Sequence, residues 1–418
     1  MKDIIAIVLA AGKGERMKSS LPKVLHQVCG RPIISHILDR LREIGIKKIV
    51  VVVGYKKELV IPHLGKAEIV VQRKLLGTAD AVLAAKAKLS NFKGPVLIIA
   101  GDAPLIKDLT LRELIEAHQN SGSGATVLTA KIDNPSGYGR IVRDRSNRVI
   151  KICEETDLDE HLQDIKEINS GIYCFQSNRL WAGLNKIKLN PRKKEYYLTD
   201  IITILAEAGE KVYAFMIKDS SEVLGINTRR DLAQANRILK GEFMDKLMET
   251  GVTVVEPGTT YIEMPVDIGE DTIIFPFTVI EKNVIIGRNC RIGPFCHLRE
   301  GSVVQDDVEL GNFVELVRSK VGRFTKAKHL SYLGDTTVGE NVNIGAGTVV
   351  ANFDGKRKNK TVIEDNAFIG SGSILIAPVK IGKGATTGAG AVVTRKKNIP
   401  AGKTVVGVPA RILEKKRG

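Results

Sequence analysis

A group of glycines and cations lies close to the start of the chain. A short apolar stretch, residues 4–8, is followed by Gly12 and Gly14 and then by Arg16 and Lys23. Glycines let a backbone approach a ligand closely, and the exposed N–H groups of such a loop bind phosphate oxygens. Two cations in the same segment suit a polyphosphate. A bare glycine pair is usually an ordinary turn, and this one fits neither the dinucleotide fingerprint nor the G-x-x-x-x-G-K-[ST] loop.

A carboxylate follows a second apolar stretch. Residues 96–100 predict a buried strand, and Gly101 and Asp102 come directly after it. Ligands of open α/β sheets bind beyond the carboxyl ends of the strands, so we expect Asp102 and the glycine loop at the same edge. Mg²⁺ needs only one or two protein carboxylates beside phosphate oxygens and water. An isolated Gly-Asp pair also serves as a turn or helix cap, but beside the loop we interpret Asp102 as a magnesium ligand.

The elements that position these residues alternate between strand and helix. We predict strands at residues 4–9, 48–53, 68–72 and 96–100, and helices at 32–44, 78–88 and 109–120. This order predicts an α/β, Rossmann-like domain with a mostly parallel sheet and helices on both faces. We place that domain at residues 1–227 and a helical linker at 228–250.

The remaining residues, 251–418, carry a repeat of six. Apolar residues recur at this period, with one slip of phase and one insertion. They stand at Ile268, Ile274, Ile280, Ile286, Ile292, Leu298, Val304, Leu310, Leu316, Val321, Ala327, Leu333, Val338, Ile344, Val350, Ile363, Ile369, Leu375, Ile381, Thr387 and Val393. Such a period predicts a parallel β-helix in which each short strand points one side chain inward. We expect about seven coils, with a loop at residues 352–360 where the period is interrupted.

Composition limits the classes of protein that remain. The chain has 418 residues, a formal net charge of +16 and five cysteines without a C-x-x-C pair. The basic residues are spread out, with small clusters at 186–194, 356–360 and 415–417 and no interleaved aromatic stripe, so we expect no nucleic-acid partner. Scattered cysteines predict reduced thiols in a cytoplasmic protein rather than a zinc site. We expect neither a signal peptide nor a membrane span.

The string LAAGKGERM, followed by LPKVLH, resembles one family over nearly the whole chain. This is the bacterial bifunctional N-acetylglucosamine-1-phosphate uridylyltransferase and glucosamine-1-phosphate acetyltransferase family. The resemblance implies uridylyl transfer from UTP to N-acetylglucosamine 1-phosphate, with Mg²⁺ held by Asp102 and Asn227 and with Lys23 and Arg16 in catalysis. It also implies a set of residues that bind UTP and the UDP-sugar: Leu9, Ala10, Ala11, Gly12, Gly14, Lys23, Gln72, Gly77, Thr78, Gly139, Glu154, Asn169 and Asn227.

The second half resembles the same family. The strings KHLSYLGD and NVNIGAG imply acetylation of glucosamine 1-phosphate by acetyl-CoA in a left-handed β-helix, with His329 as the catalytic base. Substrate residues implied in this way are Arg299, Glu315, Tyr332 and Asn343, and acetyl-CoA residues are Asn352, Ser371 and Ala389. We expect Glu315 to orient or charge-stabilise His329. The family further implies a homotrimer with sites between subunits.

The acetyltransferase half departs from the family pattern at three positions. Val317 stands where the family has a lysine for the sugar phosphate, Phe353 replaces a tyrosine, and Gly407 replaces an arginine. Arg318 is adjacent to Val317, but neighbouring strand residues point to opposite faces. Two alternatives therefore stay open. One is a monofunctional uridylyltransferase with a structural or regulatory β-helix, and the other is a regulatory subunit of the kind found in guanine-nucleotide exchange factors.

Overall fold

The computed structural model describes residues 4–89 and 91–413. The chain divides into two compact units, residues 1–238 and 239–418. The predicted boundaries of the domains and of the helical linker stay a prediction, and the basic cluster 415–417 lies outside the described residues. In the part of the chain that the structure describes, no helix is both long and apolar enough to cross a membrane.

The first unit alternates strands and helices in the order that the sequence predicts. Its strands are β1 (Ile5–Ala10), β2 (Gln27–Val28), β3 (Arg31–Pro32), β4 (Lys48–Val53), β5 (Glu68–Val71), β6 (Pro95–Ala100), β7 (Ala125–Lys131), β8 (Arg140–Arg143), β9 (Val149–Cys153), β10 (Glu167–Gln176) and β11 (Val212–Ile217). Its α-helices are α1 (Ile33–Glu43), α2 (Lys57–Val60), α3 (Thr78–Ala84), α4 (Lys86–Leu89), α5 (Asp108–Ser121), α6 (Ser177–Leu184) and α7 (Asp200–Glu207). Helix α8 (Arg229–Glu249) begins in the first unit and ends in the second. Short 3₁₀ helices occupy Glu15–Met17, Lys23–Leu25, Ile61–His63, Glu155–Asp157 and Ser220–Val223.

Strands β2 and β3 pair only with each other, and the other strands form one mostly parallel sheet. Its main path is β11-β7-β10-β6-β1-β4-β5, with β8 beside β10 and β9 beside β8. Strand β1 is central and pairs in parallel with β4 and β6, whereas β10 runs antiparallel between β6 and β7. Successive residues of β4 from Ile49 to Val53 are all buried, although their side chains alternate between the two faces. Both faces are therefore covered, as in a doubly wound α/β domain. The predicted fold class of this unit is confirmed.

The predicted elements differ from the observed ones mainly at one helix. The helix predicted at residues 78–88 is two helices, α3 and α4, because the backbone tightens at Ala85. The Ala85 N–H bonds the carbonyl of Val82, three residues back, as in a 3₁₀ turn. Strand β5 ends at Val71, so Gln72 lies just beyond it. The other predicted ends agree within one or two residues, which is the ordinary uncertainty of element boundaries.

The second unit is a β-helix of short parallel strands on three faces. One face carries β12 (Thr253–Val254), β15 (Ile273–Ile274), β18 (Arg291–Ile292), β21 (Glu309–Val317), β23 (Lys326–Gly334), β25 (Asn343–Ile344), β28 (Phe368–Ile369), β31 (Thr386–Thr387), β33 (Thr404–Val406) and the antiparallel β34 (Arg411–Ile412). The second carries β13 (Tyr261–Ile262), β16 (Val279–Ile280), β19 (His297–Leu298), β26 (Val349–Ala351), β29 (Ile374–Ile376) and β32 (Val392–Val393), with β21 and β23 bending across to it. The third carries β14 (Asp267–Ile268), β17 (Ile285–Ile286), β20 (Val303–Val304), β22 (Lys320–Val321), β24 (Thr336–Val338), β27 (Thr361–Ile363) and β30 (Val379–Ile381).

The core of this unit is the set of residues that the six-residue period selects. Every position of that repeat, from Ile268 to Val393, is buried, including Thr387. Stacking coil on coil turns isolated inward side chains into one continuous core. Seven strands stack on the third face, which agrees with the predicted number of coils. The parallel strands and the repeat confirm the predicted fold class, the left-handed parallel β-helix.

Candidate functional site

The glycine loop lies at the carboxyl end of the central strand β1. Gly14 adopts a left-handed conformation with φ of 65°, and a Cβ added there would stand 2.6 Å from the Cβ of Lys23. A Cβ added at Gly12 would meet nothing within 4 Å. Met17, which is fully buried, anchors the 3₁₀ turn that follows. Gly14 is therefore needed for the turn and for the approach of Lys23, whereas Gly12 leaves open space above the loop.

A cavity of about 560 Å³ extends from this loop to the start of α3. Ten of its lining residues were singled out from the sequence: Leu9, Ala10, Ala11, Gly12, Gly14, Lys23, Gln72, Gly77, Thr78 and Asp102. The structure thus brings the ends of the predicted strands 4–9, 68–72 and 96–100, and the residues that follow them, together at one edge of the sheet. Arg16 lies elsewhere, in a smaller cavity of about 230 Å³ lined also by Tyr138 and Asn227.

Lys23 connects the two predicted metal ligands. Its ammonium forms an ion pair with Asp102, and it donates a hydrogen bond of 3.1 Å to Oδ1 of Asn227. Asp102 follows β6, and its carbonyl accepts from the N–H of Ile226, which places Asn227 beside it. Asp102 and Asn227 are far apart in the sequence, yet both side chains contact the Lys23 ammonium.

This donor set fits Mg²⁺. A carboxylate oxygen and an amide oxygen that already share one cation are the hard ligands that Mg²⁺ takes, and Mg²⁺ commonly keeps waters and phosphate oxygens as its other ligands. Within residues 4–89 and 91–413, no group of three or more His, Cys, Asp or Glu residues is arranged to hold a metal. A metal held by Asp102 and Asn227 would accordingly take its further ligands from water and from a bound substrate.

The end of the cavity at which we expect the base to bind is built around Gln72. Its side chain is buried, and its amide nitrogen donates to the Gly77 carbonyl at 3.0 Å and to Asp80 at 2.7 Å. The sequence led us to expect that this amide would serve both a donor and an acceptor edge of uracil. Because both amide hydrogens are engaged within the protein, the acceptor oxygen is what remains for a base. Thr78 begins α3, and its hydroxyl accepts from the N–H of Leu198 at 2.9 Å.

The predicted sugar-binding residues meet on β8, β9 and β10. The N–H of Asn169 donates to the Gly139 carbonyl at 2.9 Å, and its amide nitrogen donates to the Tyr173 hydroxyl at 2.7 Å. Glu154 accepts a hydrogen bond of 2.7 Å from Thr199. Burial raises the pKa of the Glu154 carboxyl, since a charge there is poorly solvated. Gly139, Glu154 and Asn169 are not among the residues that line the cavity at the glycine loop, so their part in sugar binding stays a prediction.

In the β-helix, the predicted acetyltransferase residues fall into two groups. Arg299 directly follows β19, Glu315 and Tyr332 lie on β21 and β23 in the part that bends to the second face, and Arg299 bonds Glu315 at 3.3 Å. His329 is exposed at the bend of β23, in register with Asn312 of β21. Glu315 is in register with Tyr332 and pairs with Arg299, and the expected role of Glu315 toward His329 stays a prediction.

The other predicted residues follow strands of different faces. Asn343 lies on β25, Ser371 follows β28 and Ala389 follows β31, all on the first face. Asn352 follows β26 on the second face, where it is buried. Val317, at the end of β21, is also buried, and its apolar side chain offers no charge to a ligand.

Comparison with known proteins places both units. A model described as "Nucleotidyl transferase" matches residues 5–254, and one described as "Bacterial transferase hexapeptide (six repeats)" matches 265–300, 283–318 and 360–395. The "Bifunctional protein GlmU" of Pelotomaculum thermopropionicum is 44% identical over 412 residues, which are 90% of this chain and 90% of that protein. The chain belongs to the GlmU family. The GlmU proteins of Heliobacterium modesticaldum and Geobacillus thermodenitrificans are 43% and 42% identical over 96% and 93% of this chain, and 94% and 92% of those proteins are covered.

In this GlmU family member, some residues of the site carry no signal in the sequence. Asp80 fixes the amide of Gln72, and Tyr173 fixes the amide of Asn169. Asp80 resembles an ordinary helix-start acid, and Tyr173 resembles a core aromatic within a strand. Only the fold brings each beside its partner, so sequence reasoning had no spacing by which to find them.

Proposed function

We propose that this chain is a bifunctional enzyme. Its first unit transfers a uridylyl group from UTP to N-acetylglucosamine 1-phosphate, and its β-helix acetylates glucosamine 1-phosphate with acetyl-CoA. The observation that carries the first activity is the convergence of Lys23, Asp102 and Asn227 beside the glycine loop. Membership of the GlmU family supports the pairing of the two activities in one chain.

The first reaction calls for positioning and charge rather than for a covalent intermediate. The backbone N–H groups of the loop around Gly12 would bind the triphosphate, and Gln72 would accept from the base. Glu154 and Asn169 would hold the sugar so that its phosphate oxygen faces the α-phosphorus. Mg²⁺ at Asp102 and Asn227 would offset phosphate charge. Lys23 would then be freed from those two side chains to pair with the phosphates, and Arg16 would supply a second cation.

The second reaction needs a base, because an ammonium must lose a proton before its nitrogen attacks a thioester. His329 is the residue we assign, since a neutral imidazole nitrogen can accept that proton as a general base. It is exposed in the single chain. Its exposure and the separation of Tyr332 from Asn343 suit a site completed by a second copy.

An exposed aromatic ladder supports the homotrimer. Phe277, Phe295 and Phe313 occupy equivalent corners of successive coils and stack with ring centroids 4.9 and 5.0 Å apart. Leu330, in the next coil and adjacent to His329, is 64% exposed. An apolar strip of this kind on a soluble domain usually marks an interface. We propose that it packs against neighbouring subunits and so brings His329 into an enclosed site.

The cysteines suit a reducing compartment. All five are buried, and within residues 4–89 and 91–413 none of them forms a disulfide. Structural disulfides are rare in the cytosol and common outside it. Together with UTP and acetyl-CoA as substrates, they lead us to propose the cytoplasm as the site of action.

Two assays on the purified protein test the proposal. Pyrophosphate release from UTP and N-acetylglucosamine 1-phosphate reports the first activity, and thiol release from acetyl-CoA and glucosamine 1-phosphate reports the second. His329→Asn should abolish thiol release and leave pyrophosphate release unchanged. Thiol release that survives in His329→Asn would overturn the assignment of the base. Pyrophosphate release without thiol release in the parent would favour the monofunctional alternative, and neither activity would favour the regulatory subunit.

A further inference from the structure

Two residues of opposite charge stack at one corner of the β-helix. Arg318 follows β21 and Asp335 follows β23, one coil apart, and both have left-handed backbones with φ of 49° and 52°. The guanidinium donates from Nε and Nη2 to the two carboxylate oxygens of Asp335, each at 2.8 Å. Two parallel bonds of this kind fix the carboxylate in one plane and one orientation.

The same carboxylate holds a third side chain. Oδ2 of Asp335 accepts a hydrogen bond of 2.6 Å from the amide nitrogen of Asn352. Asn352 is only 4% exposed, so its amide cannot exchange this partner for bulk water. Because its nitrogen is bound to Asp335, its amide oxygen must point away from that carboxylate. The order of contacts is therefore Arg318, Asp335, Asn352, running from the surface inward.

The end of this chain of contacts lies against a predicted substrate residue. A Cβ added at Gly334 would stand 2.5 Å from the amide nitrogen of Asn352 and 2.7 Å from the hydroxyl of Tyr332. Only a residue without a side chain leaves room for both groups at this point. The Asn352 amide and the Tyr332 hydroxyl thus meet over the same stretch of backbone.

Stability alone is a weak reason for this arrangement. The Arg318 side chain is 49% exposed, and exposed ion pairs contribute little to folding. Left-handed backbone is also unfavourable for residues other than glycine. Arg318 holds the pKa of the Asp335 carboxyl below its ordinary value, so the carboxylate stays ionised at neutral pH. The main effect of the Arg318–Asp335 pair is to hold the Asp335 carboxylate in place as the acceptor for the Asn352 amide.

We propose that Arg318 and Asp335 are positioning residues, which turn Asn352 so that its amide oxygen accepts a hydrogen bond from an N–H group of acetyl-CoA. This inference rests on the proposed acetyltransferase activity. The pantetheine arm of acetyl-CoA carries two amide N–H groups, and an oriented carbonyl is their natural partner. The arrangement also explains why Arg318 does not replace the lysine missing at Val317. Its guanidinium is already committed to Asp335.

The test separates KM for acetyl-CoA from kcat. Asp335→Asn removes the charge and suits a left-handed backbone, since asparagine is enriched there. We expect it to raise KM for acetyl-CoA about tenfold, the typical effect of losing one hydrogen bond to a charged group, with kcat little changed. Arg318→Met should raise KM less, and Arg318→Lys should restore part of the loss.

Arg323 provides a matched control. It is also half exposed, and it pairs with Asp306 and Asp307 across adjacent coils at 3.7 and 3.5 Å. Arg323→Met should leave KM for acetyl-CoA unchanged. Pyrophosphate release should be normal in every variant, and thermal unfolding should show that each variant is folded.

A double variant gives the decisive outcome. If Asp335 acts through Asn352, adding Asp335→Asn to Asn352→Ala should raise KM no further. If the two substitutions raised KM for acetyl-CoA independently, so that their effects multiplied in the double variant, the proposal would be overturned. An unchanged KM in Asp335→Asn would overturn it as well. Calorimetric titration of the parent with acetyl-CoA distinguishes the failures. No binding by the parent would overturn the acetyltransferase activity and this inference with it, whereas binding that no variant weakens would overturn this inference alone.

Discussion

Two glycines of one loop should respond in opposite ways to the same change. Gly14 has a left-handed backbone, and an added Cβ would stand 2.6 Å from the Cβ of Lys23, closer than two such atoms can approach. Gly12 has no atom within 4 Å of an added Cβ and no left-handed backbone. We therefore expect Gly14→Ala to destabilise the first unit and to displace Lys23. Gly12→Ala should leave stability intact and place its methyl group in the phosphate-binding space.

The size of the effect follows from three contributions. A left-handed alanine costs about 1–2 kcal/mol. A forced overlap with Lys23 adds about 1–3 kcal/mol. The loss of conformational freedom in the unfolded chain returns about 0.4–1 kcal/mol. Gly14→Ala should thus lower the free energy of unfolding by about 1–5 kcal/mol. Gly12→Ala carries only the third contribution and should be neutral or slightly stabilising.

The chain supplies its own reporter for this measurement. Trp181 is the only tryptophan of the sequence, and it lies in the first unit. Urea unfolding followed by its fluorescence therefore reports on that unit alone. Gly14→Ala should lower the urea midpoint clearly, and Gly12→Ala should not. In the pyrophosphate assay, Gly12→Ala should raise KM for UTP. Equal midpoints for the two variants would refute this account of the loop.

Three further perturbations follow from the contacts described. Lys23→Met should reduce pyrophosphate release about 10- to 100-fold, which is the loss expected for one charged hydrogen bond. Calorimetry should nevertheless show tighter Mg²⁺ binding to the nucleotide-free variant, because the ammonium no longer occupies Asp102. Weaker Mg²⁺ binding by the variant would contradict this prediction. If the chain forms the proposed trimer, Phe313→Glu should dissociate it in sedimentation velocity and abolish thiol release while pyrophosphate release continues. A trimer that stays intact in this variant would exclude the aromatic ladder as its interface. Glu154→Gln should raise the urea midpoint at pH 8. Since the pKa of Glu154 is raised in the folded state, the stability of the parent falls as the pH rises through that pKa. If the variant kept the same higher midpoint relative to the parent below about pH 4, the ionisation of Glu154 would not be the cause.

Much of the fold follows from periodicity alone. The six-residue repeat is a direct record of which side chains point inward, so each position it selects, from Ile268 to Val393, is buried. Alternating apolar stretches and helical segments likewise gave the order of elements in the first unit. The break between α3 and α4 was missed, because a single tightened turn at Ala85 leaves the helical pattern on both sides unchanged.

The glycine loop and the strand-terminal Asp102 could be placed at one edge from the sequence, since the carboxyl ends of parallel strands meet there. Their partners could not. The bonds of Lys23 to Asp102 and Asn227 span 79 and 204 residues of chain, and no local pattern records contacts at such separations. The same is true of Asp335, which is one acid among many in the sequence. The sequence by itself determined which segments fold and which residue types suit phosphate and acetyl chemistry. Only the tertiary structure decided that Glu315 pairs with Arg299 and that Arg318 pairs with Asp335. It also decided that Gln72 offers an acceptor to a ligand. Each of these contacts joins groups that come within bonding distance only when the sheets and coils have formed.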